Sequence, residues 1–181
     1  MTTHTFLLAP LAGNALWGAV GLLAGVVLIG FFARRKPMTV TARSVATGII
    51  LAVTLLLGWI FIGALSAKVQ LEPTKLVLDL PAYSREVPIA SLQLDAARVI
   101  DAKASDAPKL GFRTNGVGMP GYNLGWFRLK DSDTRALVSV TGDAPLLVIP
   151  TSDNYILVLS TPDGDKLLAA LRQAVATGAA R

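Results

Sequence analysis

Two uncharged apolar runs do most to limit what this chain can fold into. Leu11–Phe32 and Val45–Leu65 contain no Asp, Glu, Lys or Arg. Wound as helices at ~1.5 Å per residue, they cover roughly 33 and 31 Å, enough for the ~30 Å hydrocarbon core of a bilayer. A cleavable signal peptide is the rival for the first run. It would need a basic start, a shorter apolar core and a small-residue cleavage site. The chain starts MTTHTFLL, without Lys or Arg, and the run ends in FFARRK. The sequence therefore predicts a membrane hairpin over residues 1–67, with spans at about 11–32 and 45–65 joined by a loop at 33–44.

That loop sets the expected orientation. It carries Arg34, Arg35, Lys36 and Arg43, and short loops rich in Lys and Arg stay cytoplasmic. The N-terminus and everything after Leu65 are then extracytoplasmic, although Lys68, Lys75 and Arg85 weaken the bias. Trp59, near the outer end of its span, suits an interface anchor better than Trp17 does. Gly21 and Gly25 form a Gly-x-x-x-Gly pair that lets helices approach closely. It fits either packing against the second span or a contact between two copies of the chain.

The net charge of +5 vanishes once it is located. From Ala67 onward there are thirteen basic and twelve acidic residues, too even a balance to trap a phosphate backbone, so no nucleic-acid partner is expected. The absence of cysteine removes disulfides, thiolate metal sites and thiol nucleophiles. Histidine is confined to His4, at a terminus that reads as frayed, which leaves no material for a Ser-His-Asp triad or a histidine metal site. Asp131–Ala136 breaks the calcium-loop pattern with Arg135 and Ala136 where a ligand and a glycine belong. No catalytic residue, metal or cofactor is expected.

After residue 67 the pattern changes to short apolar runs divided by turn residues. Candidate strands are Lys68–Glu72, Lys75–Leu80, Val87–Leu92, Ala96–Asp101, Leu124–Lys130, Arg135–Thr141, Pro145–Ile149 and Tyr155–Ser160. Turn residues at Asp131-Ser132-Asp133 and Gly142-Asp143 make the last four read as a meander. Thr161-Pro162-Asp163 opens a helix at about 162–176, with Thr161 as N-cap and an apolar face of Leu167, Leu168, Leu171, Ala174 and Val175, ended by Gly178. The economical fold for residues 68–181 is an open barrel or orthogonal sandwich with that helix against it.

The stretch RTNGVGMPGYNLGWFRL, Arg113–Leu129, reads as a shaped loop feeding a strand. Gly116, Gly118 and Gly121 match G-x-G-x-x-G letter for letter, but a dinucleotide site needs a helix N-terminus directly after them. The residues that follow, Tyr122 to Phe127, are β-like, so the glycines are expected to supply positive φ angles in a tight loop. Further along, Phe127 and Leu129 share one strand face, and Trp126, Arg128 and Lys130 share the other. If the first pair points inward, the second set is an exposed aromatic beside two cations, suited to lipid headgroups or an acidic partner. The alternative is that Trp126 packs under the Arg113–Tyr122 loop.

The Arg113, Asn115, Gly116 opening, Pro120-Gly121-Tyr122, Gly125-x-Phe127 and the Leu159-Ser160-x-Pro162 helix start resemble the bacterial pleckstrin-homology-like (PH-like) domains that follow membrane spans. The resemblance covers roughly Val69 to Ala176. It implies two N-terminal transmembrane α-helices followed by a mainly-β PH-like barrel or orthogonal sandwich capped by a C-terminal α-helix. It implies no catalytic residues and no defined ligand. The expected function is a non-catalytic interaction module for a protein partner or a homo-oligomeric assembly, with lipid or small-ligand sensing as the alternative. Arg113, Asn115, Tyr122, Trp126, Arg128 and Lys130 are the candidate surface.

Overall fold

In the computed structural model of the protein, residues 4–10 and 13–179 are described. The expected start of the first span at Leu11 lies outside them. Helix α1 runs Gly13–Arg34 and helix α2 Val40–Leu65. The second begins earlier than the apolar run because Thr39 caps it, its side-chain oxygen accepting from the Ala42 amide at 3.3 Å. Among the described residues, the buried positions are Ala15 and Ala19 of α1 and Phe61 and Ala64 of α2, all near the ends that meet the sandwich. Most of the remaining surface of both helices is apolar and exposed, which calls for lipid or a further helix around it.

Gly21 and Gly25 do not face α2. A Cβ on either would meet nothing within 4 Å, whereas a Cβ on Gly30 would lie 3.1 Å from Ile50 Cγ2. The reading of that pair as a contact between the two spans is corrected: the close contact lies beside the short basic loop, which holds those ends together.

A short strand precedes the helices. β1 (His4–Leu7) pairs antiparallel with β2 (Lys68–Leu71), with His4 opposite Leu71 and Leu7 opposite Lys68. His4 is thus in a strand, where the sequence suggests fraying. The Leu8 amide donates to Ala67 O at 3.1 Å, so the chain leaves the sheet and re-enters it at one point. The membrane hairpin is an insertion between two neighbouring strands, and that pairing requires an even number of crossings. The first sheet continues through β3 (Lys75–Asp79) and β4 (Arg85–Pro88), all antiparallel. A single 3₁₀ turn at Ile89–Ser91 follows.

The second sheet holds β5 (Arg98–Ile100), β6 (Leu110–Met119), β7 (Tyr122–Leu129), β8 (Arg135–Thr141), β9 (Leu146–Pro150) and β10 (Tyr155–Ser160), in the order β5-β9-β10-β8-β7-β6. Two expectations are corrected here. Arg113–Tyr122 is not a loop: residues 110–119 form the longest strand, paired with β7. The last four strands are not a meander, because β10 inserts between β8 and β9 and runs parallel to β8. Its run Ile156-Leu157-Val158-Leu159 is apolar on both faces, as a central strand between two buried surfaces requires.

The two sheets form a sandwich that does not close, and α3 (Gly164–Ala179) lies against it, running past Gly178. Thr161 lies before its start, its hydroxyl oxygen accepting from the Asp163 amide at 3.2 Å and its hydroxyl donating to Leu7 O at 2.9 Å. The first helical hydrogen bond runs from the Leu167 amide to Asp163 O, so Asp163 and not Thr161 is the N-cap. One continuous core joins Ala15, Ala19, Phe61 and Ala64 of the membrane helices to Leu76, Leu157, Leu167 and Leu171. A second, smaller cluster of Phe127, Leu129, Val138, Val148 and Val158 lies on the other face of the six-stranded sheet. Segment 101–109 connects the two edge strands, and Ile100, Ala102 and Leu110 pack on that cluster.

Candidate functional site

Strand β7 distributes its residues over three places. Its first residue, Tyr122, sits under the membrane helices with its ring 6.4 Å from that of Phe61, edge to face, and is 2% exposed. Burial pushes its hydroxyl well above the usual tyrosine range. The β6–β7 turn, Pro120-Gly121, fits against the start of α1: a Cβ on Gly121, where φ is 76°, would lie 3.1 Å from the Ala15 backbone nitrogen. Small residues on both sides allow this approach, and the turn docks the sandwich onto the membrane helices. Tyr122 belongs to that joint and is not available to an outside partner.

Two glycines shape the middle of the hairpin. Gly116 and Gly125 stand opposite each other in register, with φ of 146° and 115°. A Cβ on Gly116 would run into Leu124 O, and one on Gly125 into Asn115 O and the Gly116 Cα. Tyr83 closes over the pair, its hydroxyl donating to the Asn115 carboxamide oxygen at 2.9 Å. The G-x-G-x-x-G match is therefore a strand and turn with no helix after it, and it makes no phosphate cradle.

Trp126 is the centre of the third place. Both faces of β7 are covered: Phe127 and Leu129 enter the smaller cluster while Tyr122, Leu124 and part of Trp126 join the main core. Trp126 is therefore half-buried, neither standing free nor lying under the β6–β7 turn. Its ring meets Tyr155 edge to face with centroids 5.4 Å apart. Arg135 stacks on it with Cζ 4.6 Å from the ring centroid, and Arg85, reaching across from the first sheet, lies 5.6 Å from Trp126 and 5.3 Å from Tyr155. Register explains the meeting, since Arg135 pairs with Tyr155 and Trp126 with Leu137 on one face. Both arginines are exposed, and neither is ion-paired among the described residues. Burial pushes the Tyr155 hydroxyl up while Arg85 pulls it down; the net direction is up, so the phenol stays protonated and adds no negative charge.

The remaining sequence candidates divide around this rim. Asn115 lies opposite Trp126 in register, and Arg128 shares its face. Arg128 is already engaged, donating to the Asp133 carboxylate at 2.9 Å and to its carbonyl at 3.0 Å. Lys130 is exposed just beyond β7, with its backbone amide bonded to Lys109 O. Arg113 is on the opposite face, in a shallow groove of about 500 Å³ with Phe112, Asn123 and Phe127. Arg85, Arg135 and Tyr155 are the rim residues that sequence reasoning missed. They lie 41, 9 and 29 positions from Trp126; strand register brings Arg135 and Tyr155 to it, and the packing of one sheet on the other brings Arg85.

The rim presents two guanidinium groups poised over aromatic rings. The aromatic contacts hold them in place, and an exposed guanidinium suits bidentate hydrogen bonds to a carboxylate or phosphate. Compared with known proteins, the chain matches the family described as bacterial PH domain over residues 67–175, well over half its length. Strand β1 and both membrane helices lie outside that match. Neither the curated proteins nor the solved structures include one that matches.

Proposed function

As a member of the bacterial PH domain family, the chain carries a module that need not be catalytic, and we propose that it is a membrane-mounted binding module for a protein partner with an acidic contact segment. The observation that carries this reading is the pair of exposed arginines, Arg85 and Arg135, stacked on Trp126 and Tyr155 without a carboxylate of their own. The lone histidine and the lack of cysteine support binding over catalysis. Because the sandwich is joined to both helices, the rim is held at a fixed attitude to the bilayer, as an organiser of a membrane assembly requires.

A photo-crosslinking residue in place of exposed Lys130, in the full-length protein in its own membrane, tests the partner. The expected result is a discrete adduct that an acidic peptide competes away and that Arg85→Glu with Arg135→Glu abolishes. Two charge-assisted contacts at ~1.5–3 kcal/mol each correspond to a loss of at least ~100-fold in affinity. Both arginines are exposed, so melting should move by only a few degrees. An adduct indifferent to the double reversal would contradict the assignment. An adduct made solely of phospholipid would favour the lipid-sensing reading.

The orientation is proposed on the basic loop, where Arg34 ends α1 and Arg35 and Lys36 follow it. Since the chain has no cysteine, Ser132→Cys introduces a unique reporter on the β7–β8 turn. It should react with a membrane-impermeant thiol reagent in cells whose inner membrane is intact. Reaction only after lysis would reverse the orientation.

A further inference from the structure

A cavity of about 480 Å³ opens where the outer end of α2 meets the turn between β3 and β4. Trp59, Gly63 and Ser66 of α2 form one wall, and Asp79, Pro81 and Ser84 form the other. The volume falls within the ~300–1,000 Å³ of small-ligand sites. The cavity is built by a rigid contact: a Cβ on Gly63 would lie 2.8 Å from Pro81 Cγ. The turn is shaped by Ala82 at φ 61° and by the Ser84 hydroxyl, which donates to Leu80 O at 2.9 Å and accepts from its amide at 3.2 Å. None of this belongs to the arginine rim.

Three features give the cavity a preference for a cation. Asp79 supplies a carboxylate whose present partner, Lys68 Nζ, is 3.6 Å away, too long for a good hydrogen bond. The last turn of α2 contains no basic residue, so the negative end of the helix is left uncomplemented there. Trp59 adds an aromatic wall, and aromatic faces attract ammonium groups. Lys68, beside Asp79, offers the complementary charge for an anion.

The surroundings say what carries that cation. From the cavity an apolar stripe runs down α2 through Ile62, Trp59 and Leu55, which are 70%, 57% and 65% exposed. These residues recur at helical spacing on the face that ends at Ser66. α2 is long and apolar enough to cross a bilayer, and the cavity lies at its outer end, at headgroup depth. An occupant must therefore be apolar at one end and carry a cation and an anion at the other, since Asp79 and Lys68 stand opposite each other in the β2–β3 ladder.

We propose that this cavity binds the headgroup of a phosphatidylethanolamine-type phospholipid of the outer leaflet. The ammonium hydrogen-bonds to the Asp79 carboxylate beside the carboxyl end of α2. The phosphate takes over Lys68, and the acyl chains lie along Leu55, Trp59 and Ile62. Lipid binding at this joint braces α2 against the β3–β4 turn, directly before the strand that supplies Arg85.

The test uses full-length protein carrying Trp17→Phe and Trp126→Phe, which leaves Trp59 as the single tryptophan, in nanodiscs with phosphatidylethanolamine or phosphatidylglycerol brominated on its acyl chains. Trp59 fluorescence reports which lipid is adjacent. The expected result is a preference of about tenfold in relative affinity for the brominated phosphatidylethanolamine. Asp79→Asn, an exposed and nearly isosteric change, should abolish that preference, and soluble phosphoethanolamine should fail to compete. Equal quenching by the two lipids in the protein with native Asp79 would overturn the proposal, as would a preference that survives Asp79→Asn. Competition by soluble phosphoethanolamine at equal concentration would overturn the lipid as occupant. Should Asp79→Asn fold poorly, Lys68→Gln is read in the same way for the phosphate half of the headgroup.

Discussion

Replacing Gly125 with valine should abolish the cooperative folding of the sandwich. Two costs fall at this one position. At φ 115° an L side chain is strained by ~1–3 kcal/mol. The new Cβ would also have to displace the backbone of β6 at Asn115 and Gly116, and press on Tyr83. Backbone cannot yield as the end of a side chain can, so the total should exceed ~3 kcal/mol, a large part of a typical ~5–15 kcal/mol. Thermal melting of the detergent-solubilised protein should fall by at least ~6–12 °C, or no folded protein should be recovered. Gly116→Val should behave alike, since the two glycines face each other. Gly142→Val is the control for positive φ alone: its φ is 59° and a Cβ there meets nothing within 4 Å, so its loss should be smaller. Equal losses at Gly125 and Gly142 would show that strain, and not the close approach of β6 and β7, is what matters.

A chain that begins at Lys68 should fail to give a stable, monomeric domain, even though it retains nearly all of the matched family region. Without β1, strand β2 becomes a bare edge, a template for pairing with other chains. The core also loses Leu8, Ala15, Ala19, Phe61 and Ala64, which uncovers the Tyr122 ring. Uncovering one aromatic of ~150–250 Å² at ~25 cal/mol per Å² costs about 4–6 kcal/mol. Size-exclusion chromatography should show aggregate, and melting should be broad or absent. Tyr122→Ala in the full-length protein isolates the joint and should cost ~3–5 kcal/mol, as buried aromatic truncations do. A monodisperse Lys68–Arg181 fragment that melts as sharply as the whole protein would show that the membrane helices are only a tether.

How much of this was legible in the sequence depends on the range of the signal. The two spans are composition over twenty residues and form two long apolar helices, whereas the connection between them is shorter than the charge pattern suggests, residues 35–39, with Arg34 ending α1 and Arg43 inside α2. The start of α3 is a local pattern, Thr161-Pro162-Asp163, and the helix begins directly after it at Gly164, with Asp163 in place of Thr161 as the cap. Most strand positions after residue 67 were readable from turn chemistry between apolar runs. Strand β1 was not, because four residues, His-Thr-Phe-Leu, carry no periodicity and find their partner more than sixty positions away. The order of β8, β9 and β10 was hidden for a related reason. A four-residue connection after Thr141 serves an adjacent hairpin or a step over one strand equally well.

The candidate site divides in the same way. Trp126 and Arg128 share a face because strand periodicity is local, and that part could be read. The glycine-rich stretch misled: its glycines permit a close strand pairing and a docking turn, where a loop was expected. Arg135 and Tyr155 come to Trp126 through register, which is decided by burial on both faces together, and Arg85 through the packing of the first sheet on the second. No window of sequence contains either.

The claim on which the rest depends is that the membrane hairpin is inserted within the sandwich's first sheet, so that helices and module form one body. A disulfide between Thr5→Cys and Gln70→Cys tests it most directly. The two positions are opposite each other in the β1–β2 ladder, where Cα separations of ~4.5–5.5 Å fall within reach of a disulfide. With no native cysteine to compete, mild oxidation of full-length protein in membranes should convert nearly all of it to an intramolecular cross-link. Thr5→Cys with Glu72→Cys, out of register, should convert poorly. Equal cross-linking of both pairs, or none of either, would contradict the insertion and leave the sandwich hanging from the membrane by its second helix alone.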